Sequence, residues 1–247
     1  MEKIKIDIND HYFSQMKTAH LKLNVEKNYN ALNRELYQQI TNAVEYIVAR
    51  GDIGALVLGS ELTDAFSSGV DVKYIRSLSN EEAGQFFRDL SILFEILANL
   101  PIPTIAIVNG YTYGAGADLA LSCDLRIATA TSVFRFPGPQ FGLILGTERL
   151  INEIGAARAR YLTLLNKKVN AFVASEFGLV HEVCEDLKEG NEIVKKWLES
   201  LLNVPNNTLQ TLKELTGAQQ SDTAHRLTRE SVLHGDFGGR FYEYVKK

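Results

Sequence analysis

A chain of 247 residues, 45% of them hydrophobic, is long enough for one large domain or two small ones and can bury a sizeable core. A net charge of −4, with acids and bases spread along the chain, leaves no basic footprint for nucleic acid. Two cysteines, Cys123 and Cys184, fit neither a metal spacing nor a disulfide framework, so reduced thiols in a cytoplasmic protein are expected.

The first seven residues alternate polar and apolar side chains and lack the apolar stretch of a signal peptide. Residues 3–8 and 13–23 have period two and read as strands. Asn30 is a good N-cap for a helix running to about residue 50, with the apolar stripe Leu32, Leu36, Ile40, Val44, Ile47 and Val48, and Gly51 stops it. Residues 55–58 read as a buried strand, and residues 80–100 as a second long helix carrying Phe86, Leu90, Leu93, Phe94 and Leu97. The greasy region 92–108 contains Glu95, Asn99, Pro101 and Pro103, which breaks it too often for a membrane span. A strand over 104–108 leads to a helix from about Gly114, then to short strands over 125–128 and 132–134. Residues 147–154 and 156–165 look helical, and the pattern after about residue 186 is helical without strand signals. Alternating strands and helices argue an α/β fold with largely parallel pairing. Periodicity alone does not say which α/β architecture.

Two turns stand out. The stretch Asn109-Gly110-Tyr111-Thr112-Tyr113-Gly114-Ala115-Gly116-Ala117-Asp118 turns through small residues into a helix. The first N–H groups of a helix lack internal partners and sit at the positive end of its dipole. A substrate oxygen that gains negative charge is suited to such a place. Asp118 lies about one turn further in. In Ala65-Phe66-Ser67-Ser68-Gly69-Val70-Asp71-Val72-Lys73, Gly69 permits a sharp bend that aims the Val70 N–H into a cleft. Two N–H donors from two separate turns are what an oxyanion hole requires.

These turns resemble motifs of the enoyl-CoA hydratase/isomerase (crotonase) superfamily. Residues 65–72 are similar to A-F-S-A-G-x-D-I/V, and residues 103–124 to P-x-I-A-x-V/I-N-G-x-x-x-G-G-G-x-E/D-L-A-L-x-C-D. Residues 24–33 resemble N-R-P-x-K-x-N-A-L-N/S, and residues 171–180 resemble A-x-E-A-x-x-x-G-L-V. The likeness covers roughly residues 15 to 185 in the family's order and spacing. It implies a crotonase-like spiral of β-β-α turns over residues 1–186 and a C-terminal helical trimerisation region over 187–247. A homotrimer or hexamer is therefore expected. The implied substrate is an acyl-CoA or acyl-carrier-protein thioester, with coenzyme A as part of the substrate, no other cofactor and no metal.

The resemblance also assigns residues. Thioester enolate chemistry needs two backbone donors, here the N–H groups of Val70 and Ala115. Ala31, Ser68, Val70, Asp71, Val72, Lys73, Ala115 and Gly138 fall at substrate-binding positions. The stretch after the hole, 70–73, is expected as a strand along the pantetheine arm, with residues 28–32 beside the adenosine half and Lys27 and Lys73 reaching phosphates. Asp118 matches the first catalytic glutamate of the hydratases, and its place at a helix start should favour the ionised form of a base or water-positioning group. It is one methylene shorter than glutamate, and reach matters in proton transfer.

One departure weighs on the reaction. The family's second glutamate sits in F-x-x-P-E-x-x-x-G, whereas this chain reads Phe134-Arg135-Phe136-Pro137-Gly138-Pro139-Gln140-Phe141-Gly142. Gly138 takes the acid's place, and the loop that follows is short. Glu148, Arg135 and Gln140 are nearby polar candidates, each better read as a helix-start or loop residue. Tyr111, Tyr113 and Tyr74 are better read as packing. His11, His20, His181, His225 and His234 fall outside every motif. The expectation is a hydratase/dehydratase- or isomerase-like enzyme. The alternatives are a thioester decarboxylase or hydrolase, and a weakened member kept as an assembly partner. Neither a G-x-G-x-x-G fingerprint nor a G-x-S-x-G elbow is present.

Overall fold

The computed structural model describes residues 3–10, 17–201, 203–216, 222–233 and 236–246. Strand β1 (Ile4–Asp10) pairs antiparallel with β2 (Lys17–Leu23). The expected start of the second strand, over 13–16, lies outside the described residues, as do His11 and His234. From β2 the sheet continues in parallel through β3 (Ile53–Ser60), β5 (Thr104–Val108), β7 (Leu125–Thr129) and β10 (Glu182–Cys184). A second sheet holds the short strands β4 (Ala65–Ser67), β6 (Tyr111–Tyr113), β8 (Val133–Arg135) and β9 (Lys168–Asn170), in that order. Its first three strands are parallel and β9 is antiparallel.

A strand of the first sheet, a short strand of the second and a helix make one unit, and the unit repeats. β3 and β4 lead to α2 (Val72–Arg76) and α3 (Asn80–Ala98). β5 and β6 lead to α4 (Ala115–Leu121), and β7 and β8 to α5 (Thr147–Leu164). This is the expected spiral of β-β-α turns. Strands β3 and β5 of this sheet are buried along nearly their whole length and are apolar on both faces, because both faces are covered. Leu56, Leu58, Ala106 and Val108 face the main core, shared with α1 (Arg34–Arg50) and α3. Val57, Ile105, Ile107 and Ile127 face a second cluster with Ile193, Val194 and Leu198 of α7 (Leu187–Leu201).

Three local expectations are corrected. Asn33 caps α1, its side chain accepting the Leu36 N–H, and Asn30 does not. Asn30 is fully buried with φ 55°, its side-chain carbonyl bound to the Val25 N–H and its amide to Ser60 Oγ and the Phe66 carbonyl. Long-range partners outbid the local cap. Val48 lies off the buried stripe and is 46% exposed. Residues 72–76 form helix α2 rather than a strand, because the Asp71 carboxylate accepts the Lys73 and Tyr74 N–H groups and starts a helical turn.

After α6 (Ala171–Phe177) the remaining helices are α7, α8 (Asn206–Thr216), α9 (Asp222–Leu233) and α10 (Phe237–Lys246). α9 packs along α3, and α10 returns over the short turn Gly138–Phe141. Phe237 and Phe241 are buried among Phe87 and Phe141, with ring centroids 5.2 to 6.0 Å apart. Among the described residues no helix is long and apolar enough to cross a membrane.

Candidate active site

The two singled-out turns lie back to back. Gly69 has φ 101°, and a Cβ there would sit 2.9 Å from the Tyr113 carbonyl oxygen and 3.9 Å from the Ala115 nitrogen. At Gly116 a Cβ would meet the Ser67 Cβ and carbonyl oxygen at 2.6 Å. Only hydrogen side chains at these two positions let the backbones approach so closely.

That approach leaves two donors open. Leu32 donates to the Gly69 carbonyl at 2.7 Å and accepts from the Asp71 N–H at 2.8 Å, a bridge that bypasses the Val70 N–H. Gly114 starts α4 without a side-chain cap, so the Ala115 N–H is an unclaimed first-turn donor. Among the described residues no acceptor takes either N–H. Ser68 anchors its turn to the 28–30 segment, donating from its N–H to the Tyr29 carbonyl and from Oγ to the Asn28 carbonyl, each at 2.9 Å.

Both turns open onto an apolar cavity of about 110 Å³. Ser68, Val70, Ala115 and Asp118 line it beside Phe87, Phe136, Leu143 and Leu145, and α10 adds Phe241 and Tyr244 to its walls. On the other side of Ser68, Val70 and Val72 lies a wider recess of about 970 Å³, lined by Asn28, Ala31, Asp71, Lys27 and Lys73. The two lysines are exposed at this recess. Asn28 donates its amide to Asp71 at 3.1 Å, and its buried Oδ1 has no partner among the described residues.

Asp118 corrects the electrostatic expectation. It is only 4% exposed, and burial pushes its carboxyl up to about 8, with the nearby Arg149 charge opposing. Loss of hydration outweighs both the helix dipole and the cation, so the group holds its proton at neutral pH. Gly146, at φ 63°, makes room for it, since a Cβ there would lie 2.1 Å from Asp118 Oδ1. Arg149 is the residue that sequence reasoning missed. It is 2% exposed, and neither terminal guanidinium nitrogen has a hydrogen-bond partner among the described residues. Burial lowers its pKa while Asp118, Glu153 and Glu95 oppose the shift. An arginine in the first turn of an amphipathic helix carries no mark of burial; only the packing of α5 against α4 turns it inward.

The other candidates take their plain roles. Gly138 lines the cavity, and a Cβ there would be 2.9 Å from the Leu143 carbonyl oxygen. Glu148 lies in the first turn of α5, outside the cavity lining. Arg135 donates to Asn166 Oδ1 at 2.8 Å, and Gln140 to the Leu164 carbonyl at 3.2 Å. Tyr74 packs on Phe86, and Tyr111 on Tyr29 and Tyr113. His181 accepts from the Arg126 N–H, and His225 bonds Ser91 and Glu95 between α9 and α3, away from the cavity. Among the described residues no three His, Cys, Asp or Glu side chains gather as a metal site.

Residues 14–239 match the sequence profile of the enoyl-CoA hydratase/isomerase family. Human mitochondrial methylglutaconyl-CoA hydratase is 30% identical over 173 residues, covering 69% of this chain and 51% of that protein. A Dictyostelium discoideum protein, "Probable enoyl-CoA hydratase, mitochondrial", is 32% identical over 222 residues, 87% of this chain and 78% of its own length. The chain spans about half the length of the methylglutaconyl-CoA hydratases it matches. The solved enoyl-CoA hydratase of Bacillus halodurans has the same fold, with a TM-score of 0.83 at 21% identity over 96% of this chain and 99% of that one.

Proposed function

The chain belongs to the enoyl-CoA hydratase/isomerase family, and from that premise we propose that it binds an acyl thioester and holds its carbonyl oxygen as an enolate between the Val70 and Ala115 N–H groups. The observation that carries this reading is the pair of open N–H groups lining an apolar cavity that also holds Asp118. Preorganised donors in a water-poor site are worth about 10²–10³ in rate each. The recess beyond Val72 takes the coenzyme A or carrier-protein arm, with Ala31, Asp71 and Val72 along it and Lys27 and Lys73 toward its phosphates.

Asp118 is the acid–base group. Water adds to the β-carbon of an enoyl thioester while the neutral Asp118 gives its proton to the α-carbon. The carboxylate then takes a proton from the added water, which restores the acid and yields the β-hydroxyacyl product. The reverse sequence is dehydration. A carboxyl poised near neutrality suits both halves, and such transfers contribute about 10²–10⁴.

A second reading rests on Gly138. With that position backed by Leu143, Asp118 is the only carboxyl among the described residues that line the cavity. A 1,3-shift of the double bond needs no more than one carboxyl, the fraction of Asp118 that is ionised near its folded value removing a proton at one carbon and returning it at another. Incubation in D2O with enoyl, saturated and malonyl thioesters, on coenzyme A or a carrier protein, separates the readings by mass spectrometry. Hydratase action adds water, isomerase action moves the double bond with deuterium at the α- or γ-carbon, and decarboxylation loses CO2. Asp118→Asn should lower the first two by at least about 10²-fold. If no thioester is bound, exchanged or converted, the enzymatic reading falls and the assembly-partner alternative stands. The C-terminal helices are proposed to join three copies, or two sets of three.

A further inference from the structure

We propose that the cavity behind the two open N–H groups admits a short, uncharged acyl chain of about four carbons, and that Phe241 and Tyr244 of α10 set this limit. The inference rests on the thioester reading above and specifies its substrate.

The cavity holds about 110 Å³, and that space already includes the place where Val70 and Ala115 receive the carbonyl. A dry apolar cavity of about 150 Å³ accommodates benzene, a six-carbon ligand. A smaller space shared with the carbonyl therefore takes an acyl group of about four carbons. The wall that α10 contributes is tightly packed. Phe241 is 3% exposed, packs 5.2 Å from Phe141 and is stacked on Phe237, while Tyr244 lies 5.2 Å from Phe141. A longer chain has to displace this aromatic group and with it α10.

Among the described residues lining the cavity there is no lysine, arginine or histidine. The polar members are hydroxyls, Ser68, Thr147, Thr163 and Tyr244, and the carboxyl of Asp118. Arg135 is bonded to Asn166 and its guanidinium lies over the Tyr244 ring, and neither it nor Arg149 is part of the lining. A second carboxylate on the acyl group would be stripped of water without a counter-ion in the lining. Glutaconyl- and malonyl-type groups are therefore disfavoured.

The test measures binding of butyryl-, octanoyl- and glutaryl-CoA by calorimetry, and turnover or α-deuteration of the corresponding four-, eight- and five-carbon dicarboxylic thioesters. Butyryl-CoA should bind at least about 10-fold tighter than either rival, with a similar or larger gap in kcat/KM. Phe241→Ala should raise the octanoyl-to-butyryl ratio by about 10-fold or more. Val245→Ala, a smaller change on the same helix that also lines the cavity, should shift the ratio in the same direction. Octanoyl or glutaryl thioesters handled as well as butyryl would overturn the inference while leaving the enolate reading intact. Failure to bind any thioester would overturn both.

Discussion

A carboxyl that keeps its proton at pH 7 changes what Asp118 contributes to stability as well as to chemistry. Its ordinary value is 3.8 and burial lifts it to about 8. Below about pH 4 the folded and unfolded chains both carry the proton; between there and about 8 only the unfolded chain releases it. Stability from this group is therefore fully present at low pH and is lost as pH rises through the folded value. Asp118→Asn removes the dependence, so its melting temperature relative to the natural chain should climb from pH 5 to pH 8 in scanning calorimetry. An unchanged gap would show that Asp118 is ionised in the folded protein. Arg149 is the neighbouring charge. Arg149→Met should move the Asp118 ionisation in the pH–rate profile further upward by removing the opposing cation. It should cost little stability, because a buried guanidinium whose terminal nitrogens lack hydrogen bonds is replaced by an apolar chain.

Among the elements, the helix starts decide function. β4 and α4 meet through Gly116, and Gly116→Ala forces Ser67 and the Ala115 N–H apart. Overpacking of this kind costs about 1–3 kcal/mol. Thioester exchange should fall by at least about 10²-fold, the value of one misplaced donor. Gly155 is the contrast. It interrupts α5 at φ 77°, ψ 155°, and an added methyl there would meet nothing within 4 Å. Gly155→Ala should lose about 1–3 kcal/mol in denaturant melts through backbone strain, while exchange at saturating substrate stays unchanged. Equal loss of activity in both variants would mean that stability, not donor geometry, governs the rate. The glycines of both turns were legible in the sequence because positive φ and close approach leave glycine little competition. The cap of α1 was not. Asn30 and Asn33 have the same local chemistry, and only the buried partners Ser60 and Phe66 decide which of them leaves the helix.

At the scale of the whole molecule, α10 belongs to the core as much as to the C-terminal region. A chain ended after residue 233 loses Phe237 and Phe241 and uncovers Phe87 and Phe141. Unburying two phenylalanines costs about 3–6 kcal/mol, which should lower the melting temperature by roughly 10 °C and open the cavity to larger thioesters. A melting temperature within about 2 °C of the full chain would place α10 outside the cooperative unit. The proposed trimer predicts a light-scattering mass three or six times that of one chain; a monomeric mass would remove assembly from the functional reading.

The α/β class, the run of buried parallel strands and the two turns with open N–H groups were written into the order of residues. Each follows from local rules: strand periodicity, helix-start geometry and glycine's freedom at positive φ. The rest waited on the folded chain. Short strands β6, β9 and β10 exist because neighbours pair with them, since three residues carry no period. The protonation of Asp118, the burial of Arg149 and the wall that α10 gives the cavity depend on residues that meet only in space. Desolvation and shape belong to the assembled molecule, and no window of sequence contains them.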